Sequence, residues 1–205
     1  MSRRLAVDGP AEADTRARLL VVAERLLLES GYDRVSVRAI NTAAGMNPAA
    51  VHYHFGSKDG VVAALLEERL APLWQDQLDS LAQRRKRGWV PEVAELVDVV
   101  LAPLRALAAD PTGRLHLHLL ARVVLGGRRL AWTSRWFGLS AWAELLRAAR
   151  PDLSEDEARL RWRFAFGLVL QSCGNPLGDT PISTEVPVEA LRGFVVAGLD
   201  AGSPP

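Results

Sequence analysis

GYDRVSVRAINTAAGMNPAAVHYHFGSKDG, residues 31–60, is the stretch that decides the fold of this chain. Ser36 is placed to cap a helix, because its hydroxyl can accept from a backbone N–H that the first turn leaves free. The positions that follow are apolar every third or fourth residue, as on the buried face of a helix: Val37, Ile40 and Ala44. Gly45 then supplies the left-handed backbone turn that commonly ends a helix. The sequence therefore predicts a short helix that begins at Ser36 and ends before Gly45.

A second short helix is predicted directly after this turn. Asn47 is suited to the N-cap and Pro48 to the first helical position, where the missing N–H of proline needs no partner. Two helices joined by a turn of about three residues form a helix-turn-helix, which can place its second helix in the major groove of DNA. We therefore predict that residues 36–55 form a helix-turn-helix and that its second helix contacts DNA.

Residues 51–60, VHYHFGSKDG, also carry a family resemblance. They resemble the aromatic recognition helix, the phenylalanine and the Ser-Lys-acidic start of helix 4 in the TetR/AcrR family of bacterial one-component regulators. The similarity begins near Arg16 and covers a little under a quarter of the chain. This chain departs from the family at Asn41, where alanine or glycine is usual. Because that position packs against the recognition helix, we expect the larger amide to alter the angle between the two helices or to bond back to the turn.

The composition is that of a globular protein and excludes several other classes. Of 205 residues, 49% are apolar and 24% are charged, and the formal net charge is only +1. Affinity for DNA must therefore come from the placement of individual residues rather than from overall charge. Cys173 is the only cysteine, which excludes an internal disulfide and indicates a reducing compartment. Without a signal-peptide core or an apolar run long enough to span a membrane, the chain is predicted to be cytoplasmic.

The periodicity of apolar residues predicts an all-α fold with about nine helices, because no segment shows the alternation typical of a strand. We expect an N-terminal three-helix head that contains the helix-turn-helix, and the resemblance implies a larger C-terminal helical body for ligand binding and dimerisation. Residues 1–13 are predicted to be a flexible arm, 14–60 the DNA-binding head and 61–205 the body. The predicted helices are helix 1 over residues 14–30, helices 2 and 3 within 36–55, helix 4 over 57–84, helix 5 over 91–109, helix 6 over 111–125, helix 7 over 128–149, helix 8 over 154–172 and helix 9 over 187–199.

Several side chains in the head are candidates for DNA contact. Lys58 stands at the start of helix 4, where free N–H groups and the helix dipole favour an anion, and we predict that it binds phosphate. Tyr53 can bond a phosphate through its hydroxyl, and Arg38 can pair with guanine. The alanines that begin the recognition helix can press on thymine methyl groups, and its two histidines either reach the DNA or pack within the head. The predicted DNA-binding residues are Ser36, Arg38, Asn47, Ala49, Ala50, His52, Tyr53, His54 and Lys58.

A single helix-turn-helix reads too few base pairs for useful specificity, so such heads act in twofold pairs on palindromic DNA. The run FAFGLVL, residues 164–170, is apolar all round, which predicts burial on two sides. One side would face the core of its own protomer and the other would meet the same helix of a second copy. The resemblance implies that helix 9 completes this interface; the alternative is a monomer in which helix 9 simply covers helix 8. The predicted dimer contacts are Phe164, Gly167, Leu168, Leu191, Val195 and Leu199.

The resemblance further implies an effector cavity among helices 4 to 8, coupled to the spacing of the two heads. The tryptophans and phenylalanines of the body could form an apolar lining, although aromatic residues at helical spacing more often belong to a plain core. An apolar lining predicts a small, largely apolar effector. We predict neither a cofactor nor a metal. The predicted effector-binding residues are His116, Arg122, Trp132, Trp136, Phe166 and Gln171.

Three other functions compete with DNA-binding regulation. An enzyme is disfavoured, because the chain has no phosphate-cradling glycine loop, no nucleophile elbow and no His-Glu-x-x-His helix. A metal sensor would need His116, His118 and Cys173 to converge, but residues two apart point to different faces of a helix. A helical adaptor that has lost DNA binding is the remaining rival. The sequence therefore favours a homodimeric, ligand-responsive repressor that its effector releases from a palindromic operator.

Overall fold

The computed structural model describes residues 10–127, 132–175, 177 and 188–202, and in these residues the regular elements are all helices. This confirms the all-α prediction. None of the helices in this part of the chain is long and apolar enough to cross a lipid bilayer. Besides a short 3-10 helix at Arg135–Phe137, the helices are α1 Pro10–Ser30, α2 Val37–Ala43, α3 Ala50–Phe55, α4 Lys58–Lys86, α5 Val93–Ala109, α6 Pro111–Leu125, α7 Leu139–Ala149, α8 Glu155–Gly174 and α9 Val188–Asp200.

The chain separates into two compact units, residues 1–65 and 66–205. The first unit is the head and contains α1, α2, α3 and the start of α4. The second unit is the body and contains the remainder of α4 together with α5 to α9. The predicted division after residue 60 lies near the start of α4, a few residues before the observed one.

The first helix begins earlier than predicted. α1 starts at Pro10, so the prediction of a flexible arm is wrong for residues 10–13. Proline is favoured in the first turn of a helix, because its fixed φ suits the helix and its missing N–H needs no partner there. Glu12 adds a carboxylate to the same turn, where the helix dipole favours negative charge. The rest of the predicted arm, residues 1–9, lies outside the described residues.

The predicted helix over residues 128–149 is wrong in its first half. Residues 128–131 lie outside the described residues; beyond them a 3-10 helix covers Arg135–Phe137 and α7 begins only at Leu139. Gly138 separates the two, because its backbone is extended, with φ −99° and ψ 154°. An extended residue interrupts the hydrogen bonds that a continuous helix needs.

The residues before the 3-10 helix are held by Glu67 of α4. Its carboxylate accepts from the Thr133 N–H at 2.5 Å, from the Thr133 hydroxyl at 2.8 Å and from the Ser134 N–H at 2.8 Å. These N–H groups are therefore paired with a side chain far away in sequence and not with the preceding turn of a helix. This contact overrides a local helical periodicity.

The head is held together by an apolar core to which each of its helices contributes. α2 buries Ile40 and α3 buries Val51, and both side chains are 0% exposed. Burying a large aliphatic side chain contributes about 1.5–3 kcal/mol, so these few contacts account for much of the stability of a small unit. The core residues of the head with no exposed surface are Leu19, Leu20, Ala23, Ile40, Ala44, Val51, Val61, Val62 and Leu65.

α6 is the most deeply buried helix of the body, with residues 115–119, LHLHL, all buried between α5 and α8. α8 approaches α6 closely because Gly174 has no side chain. A Cβ at that position would lie 2.7 Å from the carbonyl oxygen of Leu117 and 2.4 Å from the Cβ of Ala121. His118 donates from Nδ1 to the carbonyl oxygen of Gly174 at 2.9 Å, which satisfies a carbonyl that the end of α8 leaves free.

α9 is held to the rest of the body by hydrogen bonds of several arginines, among them Arg192 of α9 itself and Arg161 of α8. Arg192 donates to both carboxylate oxygens of Asp98 on α5, at 2.5 and 2.7 Å, and these bonds lower the pKa of that carboxyl. Arg161 of α8 donates to the carbonyl oxygen of Leu199 at 3.0 Å and also to that of Ala201. Carbonyls at the C-terminal end of a helix have no partner within the helix. These bonds, together with the burial of Leu191, Val195 and Leu199, determine which side of α9 faces away from the body.

Candidate nucleic-acid interface

α3 is a short amphipathic helix that presents one side to solvent. Its inward side consists of Ala50, Val51, His54 and Phe55. Its exposed side, together with the residue that precedes the helix, consists of Ala49, His52 and Tyr53. The predicted DNA contacts of Ala50 and His54 thus fall on the half-buried side, and the outward side offers a smaller set of residues than predicted.

α3 begins later than predicted, at Ala50. Residues 47–50 form a turn in which the Ala49 N–H donates to Asn47 Oδ1 at 2.9 Å and the Ala50 N–H to the Asn47 carbonyl at 2.9 Å. Ala49 takes the N-cap position, and its methyl group cannot accept a hydrogen bond. The prediction of Asn47 as the N-cap is therefore wrong, because its side chain closes the turn that precedes the helix.

The cap that α3 lacks is supplied by Asn41 of α2, which is 1% exposed. Asn41 Oδ1 accepts from the Val51 N–H at 3.1 Å, and Nδ2 donates to the Pro48 carbonyl at 2.7 Å. Because the Val51 N–H lies in the first turn of α3, its own helix provides no acceptor for it. The buried amide therefore clamps α3 to α2. Of the two outcomes expected from this departure from the family pattern, the amide bonding back to the turn is the one observed.

Tyr53 is the largest exposed side chain of α3, at 74% of its surface. Its hydroxyl donates to Glu12 Oε1 at 2.9 Å, and its ring meets the ring of His54 edge-on with the centroids 4.9 Å apart. Sequence analysis missed Glu12, because only the early start of α1 makes that residue helical and brings it to α3. A phosphate that approaches the Tyr53 hydroxyl has to compete with this carboxylate.

The side chain of His52 has a defined tautomer. Its Nδ1 lies 3.0 Å from the carbonyl oxygen of Gly56. Because a carbonyl oxygen can only accept, we assign the proton to Nδ1, which leaves Nε2 of the neutral ring as an acceptor. Gly56 has φ +74°, a conformation that glycine adopts without strain. His52 can therefore offer an acceptor to an amino group on a base edge.

Lys58 has a role different from the one predicted. Its ammonium donates to the carbonyl oxygens of Tyr32 and Val35, at 3.0 and 3.1 Å, and lies 4.0 Å from the centre of the Tyr32 ring. The neighbouring Asp59 accepts from the hydroxyl of Tyr32. Lys58 and Asp59 therefore fasten the loop between α1 and α2 to the start of α4. In this geometry the half-buried ammonium positions the helix-turn-helix, and we expect these contacts within the head to take the place of the predicted phosphate contact.

The two predicted residues at the start of α2, Ser36 and Arg38, lie where they were expected. Ser36 Oγ accepts from the Ala39 N–H at 3.1 Å, which confirms it as the N-cap of α2. Arg38 is exposed in the first turn of α2. Gly45, at φ +65°, makes the predicted left-handed turn after α2. An exposed arginine beside the recognition helix is suited to phosphate or to guanine.

The predicted effector residues lie in different environments. His116 is buried in α6, Arg122 is half-buried, and Gln171 is exposed on the outward side of α8, so an inward role for Gln171 is wrong. Trp132 stacks on Phe137 with the ring centroids 4.7 Å apart. Two of the predicted effector residues, Trp136 and Phe166, belong to the larger aromatic cluster that is described in the next paragraph.

Four rings of the body form one aromatic cluster: Trp136, Trp142, Trp162 and Phe166. The ring of Trp142 is central, with centroid distances of 5.8 Å to Trp136, 5.3 Å to Trp162 and 5.5 Å to Phe166. Phe166 also stacks on Trp162 at 5.1 Å. Trp142 and Trp162 are buried, whereas Trp136 and Phe166 are half-buried and make up the outer part of the cluster.

The residues considered as metal ligands are engaged in the core of the body. His118 is bonded to the carbonyl of Gly174, and Cys173 is buried, which raises the pKa of its thiol to about 11. Within the described ranges of the chain, no three His, Cys, Asp or Glu side chains form a group that could hold a metal ion.

The predicted dimer residues divide between the core and the surface. Leu191, Val195 and Leu199 are 7%, 4% and 1% exposed and belong to the core of the body, so their prediction as dimer contacts is wrong. They lie on the side of α9 that packs on α5 and α8. Phe164 on α8 is 67% exposed, and the outward side of α9 carries Phe194, which sequence analysis missed and which is 71% exposed. The other two predicted contacts, Gly167 and Leu168, are half-buried on α8.

Comparison with known proteins decides the family. The family model described as "Bacterial regulatory proteins, tetR family" matches residues 19–65, which span the helix-turn-helix. An HTH-type transcriptional repressor of Mycobacterium tuberculosis is 32% identical in an alignment that covers 45% of this chain and 66% of that protein. The chain belongs to the TetR family. Residues 19–65 therefore carry a helix-turn-helix DNA-binding domain of this family, and the relatives that the chain matches are transcriptional regulators and not enzymes.

Two solved structures agree with this fold. The fatty acid degradation regulator FadR of Bacillus halodurans superposes with a TM-score of 0.57 at 21% identity, covering 94% of this chain and 98% of that chain. The multidrug binding protein EbrR, solved with imidazole, gives a TM-score of 0.56 at 20% identity and covers 100% of both chains. At these identities the likeness shows the fold. The sequence alignment spans just under two thirds of the length of the mycobacterial repressor.

The variant Lys58→Met distinguishes the contacts of this lysine within the head from the predicted contact with phosphate. The methionine keeps the apolar stem and removes both bonds to the carbonyls, so we expect the free energy of unfolding of the head to fall by about 1–3 kcal/mol. A plot of log DNA affinity against log salt concentration should keep its slope, because the ammonium does not bind a phosphate. Arg38→Met is the matched control and should reduce that slope by about one. A slope reduced by Lys58→Met and unchanged by Arg38→Met would restore the phosphate assignment.

Proposed function

We propose that this TetR-family regulator is a homodimeric repressor that acts in the cytoplasm, binds a palindromic operator and is released by a small, largely apolar effector. The observation that carries the proposal is the outward side of α3, where His52 and Tyr53 stand exposed on a helix clamped by Asn41. Reading a base edge requires a side chain that is both exposed and held in position, since hydrogen bonds to bases depend on geometry. Arg38 and the hydroxyl of Tyr53 would hold phosphates and set the register.

The proposed twofold interface lies on the outward sides of α8 and α9. On α8, Leu160, Phe164 and Gly167 recur every third or fourth residue and so share one side of the helix. On α9, Phe194 is exposed beside Gly193, which has open space around it. Exposed phenylalanines on neighbouring helices are typical anchors of an interface, because each has a large apolar surface to remove from water. Two copies of this helix pair form a four-helix contact that is self-complementary under twofold symmetry.

Effector and operator are proposed to weaken each other's binding. If the effector binds best to a dimer whose heads cannot span both half-sites, linkage requires that the operator lower effector affinity by the same factor. The aromatic cluster supports an apolar effector, because its half-buried rings, Trp136 and Phe166, cover two fully buried ones. Apolar pockets with few polar groups are typical sites for such molecules.

Footprinting on the DNA that flanks the gene for this chain tests the proposal. We expect one protected palindrome, an affinity that falls steeply as salt rises, and release by an apolar small molecule. A helical adaptor would protect no palindrome at any salt concentration. If no added small molecule releases the protein from the palindrome, the proposal that an effector controls DNA binding is contradicted.

Tyr53→Phe tests the hydroxyl of the recognition helix by removing one oxygen. We expect operator affinity to fall about fivefold, since a hydrogen bond to a charged phosphate contributes about 1 kcal/mol or more. Fluorescence anisotropy with labelled operator at fixed salt measures this change. Glu12→Gln is the partner variant and should raise affinity, because it removes the carboxylate that competes for the hydroxyl. Equal affinities for the wild type and both variants would show that the hydroxyl does not contact DNA.

A further inference from the structure

The indole N–H of Trp162 in α8 stands out among the buried polar groups of the body. Trp162 is 1% exposed, and no acceptor for its Nε1 occurs among the described residues. Other indoles of the body are paired: Trp142 donates to the Trp136 carbonyl at 2.9 Å and Trp74 to the Val100 carbonyl at 3.4 Å. Buried donors are nearly always hydrogen-bonded, so a donor left without a partner calls for an explanation.

Two aromatic rings lie against Trp162. The ring of Phe166 stacks on it at 5.1 Å, and the ring of Trp142 is tilted against it at 5.3 Å. Of the arginines near it along α8, Arg161 is bonded to Glu157 at 2.6 Å and Arg163 is exposed. Arg159 lies 3.3 Å from a carboxylate oxygen of Glu155, although its Nε, like Nε1 of Trp162, has no hydrogen-bond partner among the described residues. A molecule that reaches Trp162 would thus meet the flat apolar rings of Trp142 and Phe166 and the neutral N–H donor of Trp162 itself.

We propose that Trp162 forms the inner end of the effector site and that its N–H donates to one acceptor oxygen of the effector. This inference rests on the proposed function, in which an effector binds the body. The ligand class is a planar, largely apolar, uncharged molecule with a carbonyl oxygen at one end. The rings favour a flat molecule, because aromatic groups prefer offset or edge-on contacts with other rings. A charged carboxylate is disfavoured, since an indole N–H does not compensate for the loss of its hydration.

Access to this site runs through the half-buried rings of the cluster. Trp136 lies on the 3-10 helix, and the residues just before it are bonded to Glu67 of α4. A ligand that reaches Trp162 would displace or repack the rings of Trp136 and Phe166, which make the outer part of the cluster. The site therefore selects at two levels: the rings select shape, and the single donor selects an acceptor.

The test compares fluorenone with fluorene, two flat tricyclic molecules that differ in a carbonyl oxygen. Equilibrium dialysis with the full chain, without DNA, should show fluorenone bound about tenfold more tightly than fluorene, because only fluorenone satisfies the buried donor. In Trp162→Phe, which keeps an aromatic ring and removes the N–H, the two molecules should bind within about twofold of each other. Trp89→Phe, a substitution outside the cluster, should keep the preference.

A second readout does not depend on any variant folding. The chain has six tryptophans, and each gives one indole N–H resonance in a proton–nitrogen correlation spectrum. Fluorenone should move the Trp162 resonance downfield, and fluorene should not. Equal binding of the two molecules, no binding of fluorenone, or an unmoved Trp162 resonance would each overturn the inference.

Operator binding is measured separately, without any ligand. Salt-dependent protection of a palindrome combined with failure of fluorenone would overturn this inference and leave the DNA-binding part of the proposed function standing. Fluorenone preference without operator binding would do the reverse: Trp162 would then be a ligand site in a protein that is not the proposed repressor.

Discussion

Asn41→Asp is expected to destabilise the head by about 3 kcal/mol or more and to lower operator affinity at least about 100-fold. The change replaces Nδ2, which donates to the Pro48 carbonyl at 2.7 Å, with an oxygen that can only repel it. It also places a negative charge at a position that is 1% exposed. Without this bond the start of α3 is no longer held to α2, and the outward side of α3 loses its position.

The pH dependence of this variant gives the effect a distinctive sign. Burial and the Pro48 carbonyl both raise the folded-state pKa of the introduced carboxyl, so folding favours its protonated form. The penalty is therefore small below the unfolded pKa of an aspartate, where the protonated group can itself donate to the carbonyl. It grows as the pH rises through the raised folded value. A penalty that stayed constant with pH would mean that the amide makes no such bond.

Urea unfolding can assign the loss to the head. All six tryptophans follow residue 65, so tryptophan fluorescence reports on the body, whereas far-ultraviolet circular dichroism reports on both units. Asn47→Asp is the matched control, since it makes the same chemical change at an exposed position. Its remaining oxygen can still accept from the Ala49 N–H, as Asn47 Oδ1 does at 2.9 Å. Equal losses for the two variants would contradict the role given to the Asn41 clamp.

The double variant Phe164→Glu, Phe194→Glu should convert the proposed dimer into monomers at micromolar concentration. Each substitution occurs twice in a twofold interface, and an aromatic anchor contributes about 2 kcal/mol or more, so the dimer Kd should rise at least about 1000-fold. Sedimentation equilibrium measures the oligomeric state. Operator affinity should fall with it, because a single head reaches only one half-site.

Val90→Glu provides the control for the charge itself. Val90 is 62% exposed and lies in the segment between α4 and α5, which is not part of the proposed interface. This variant should remain dimeric. Circular dichroism should show that both variants are folded, since the two phenylalanines are largely exposed and contribute little to the core of the body. A double variant that is still dimeric would place the interface elsewhere on the molecule.

The local features of the head were predictable because each depends on neighbours within about one turn. Ser36 caps α2, Gly45 turns the chain at φ +65°, and the helices after them follow the periodicity of their apolar residues. Asp110 and Ser154 begin α6 and α8 by the same kind of short-range hydrogen bond, at 2.8 and 3.1 Å. The resemblance implied that Tyr53 lies on the DNA-facing side of the recognition helix, and its side chain is exposed.

The errors share one cause, which is contact between residues far apart in sequence. Lys58 reads as a phosphate ligand until the carbonyls of Tyr32 and Val35 occupy its ammonium. Residues 132–134 read as helix until Glu67 binds two of their N–H groups. Periodicity shows that one side of α9 is apolar, but not whether its own core or a second copy covers that side.

The order of residues thus established the resemblance to the family, the all-helical fold and the position of the helix-turn-helix, because caps, turns and apolar periodicity depend on short segments of the chain. Tertiary packing alone decided which side chains make contacts inside the molecule and which remain exposed to a partner. A hydrogen-bond donor such as the Trp162 N–H, or an amide such as that of Asn41, acquires its role from whatever groups the folded chain brings within about 3 Å of it. That distance depends on helix placement, and so it is not contained in any short stretch of sequence.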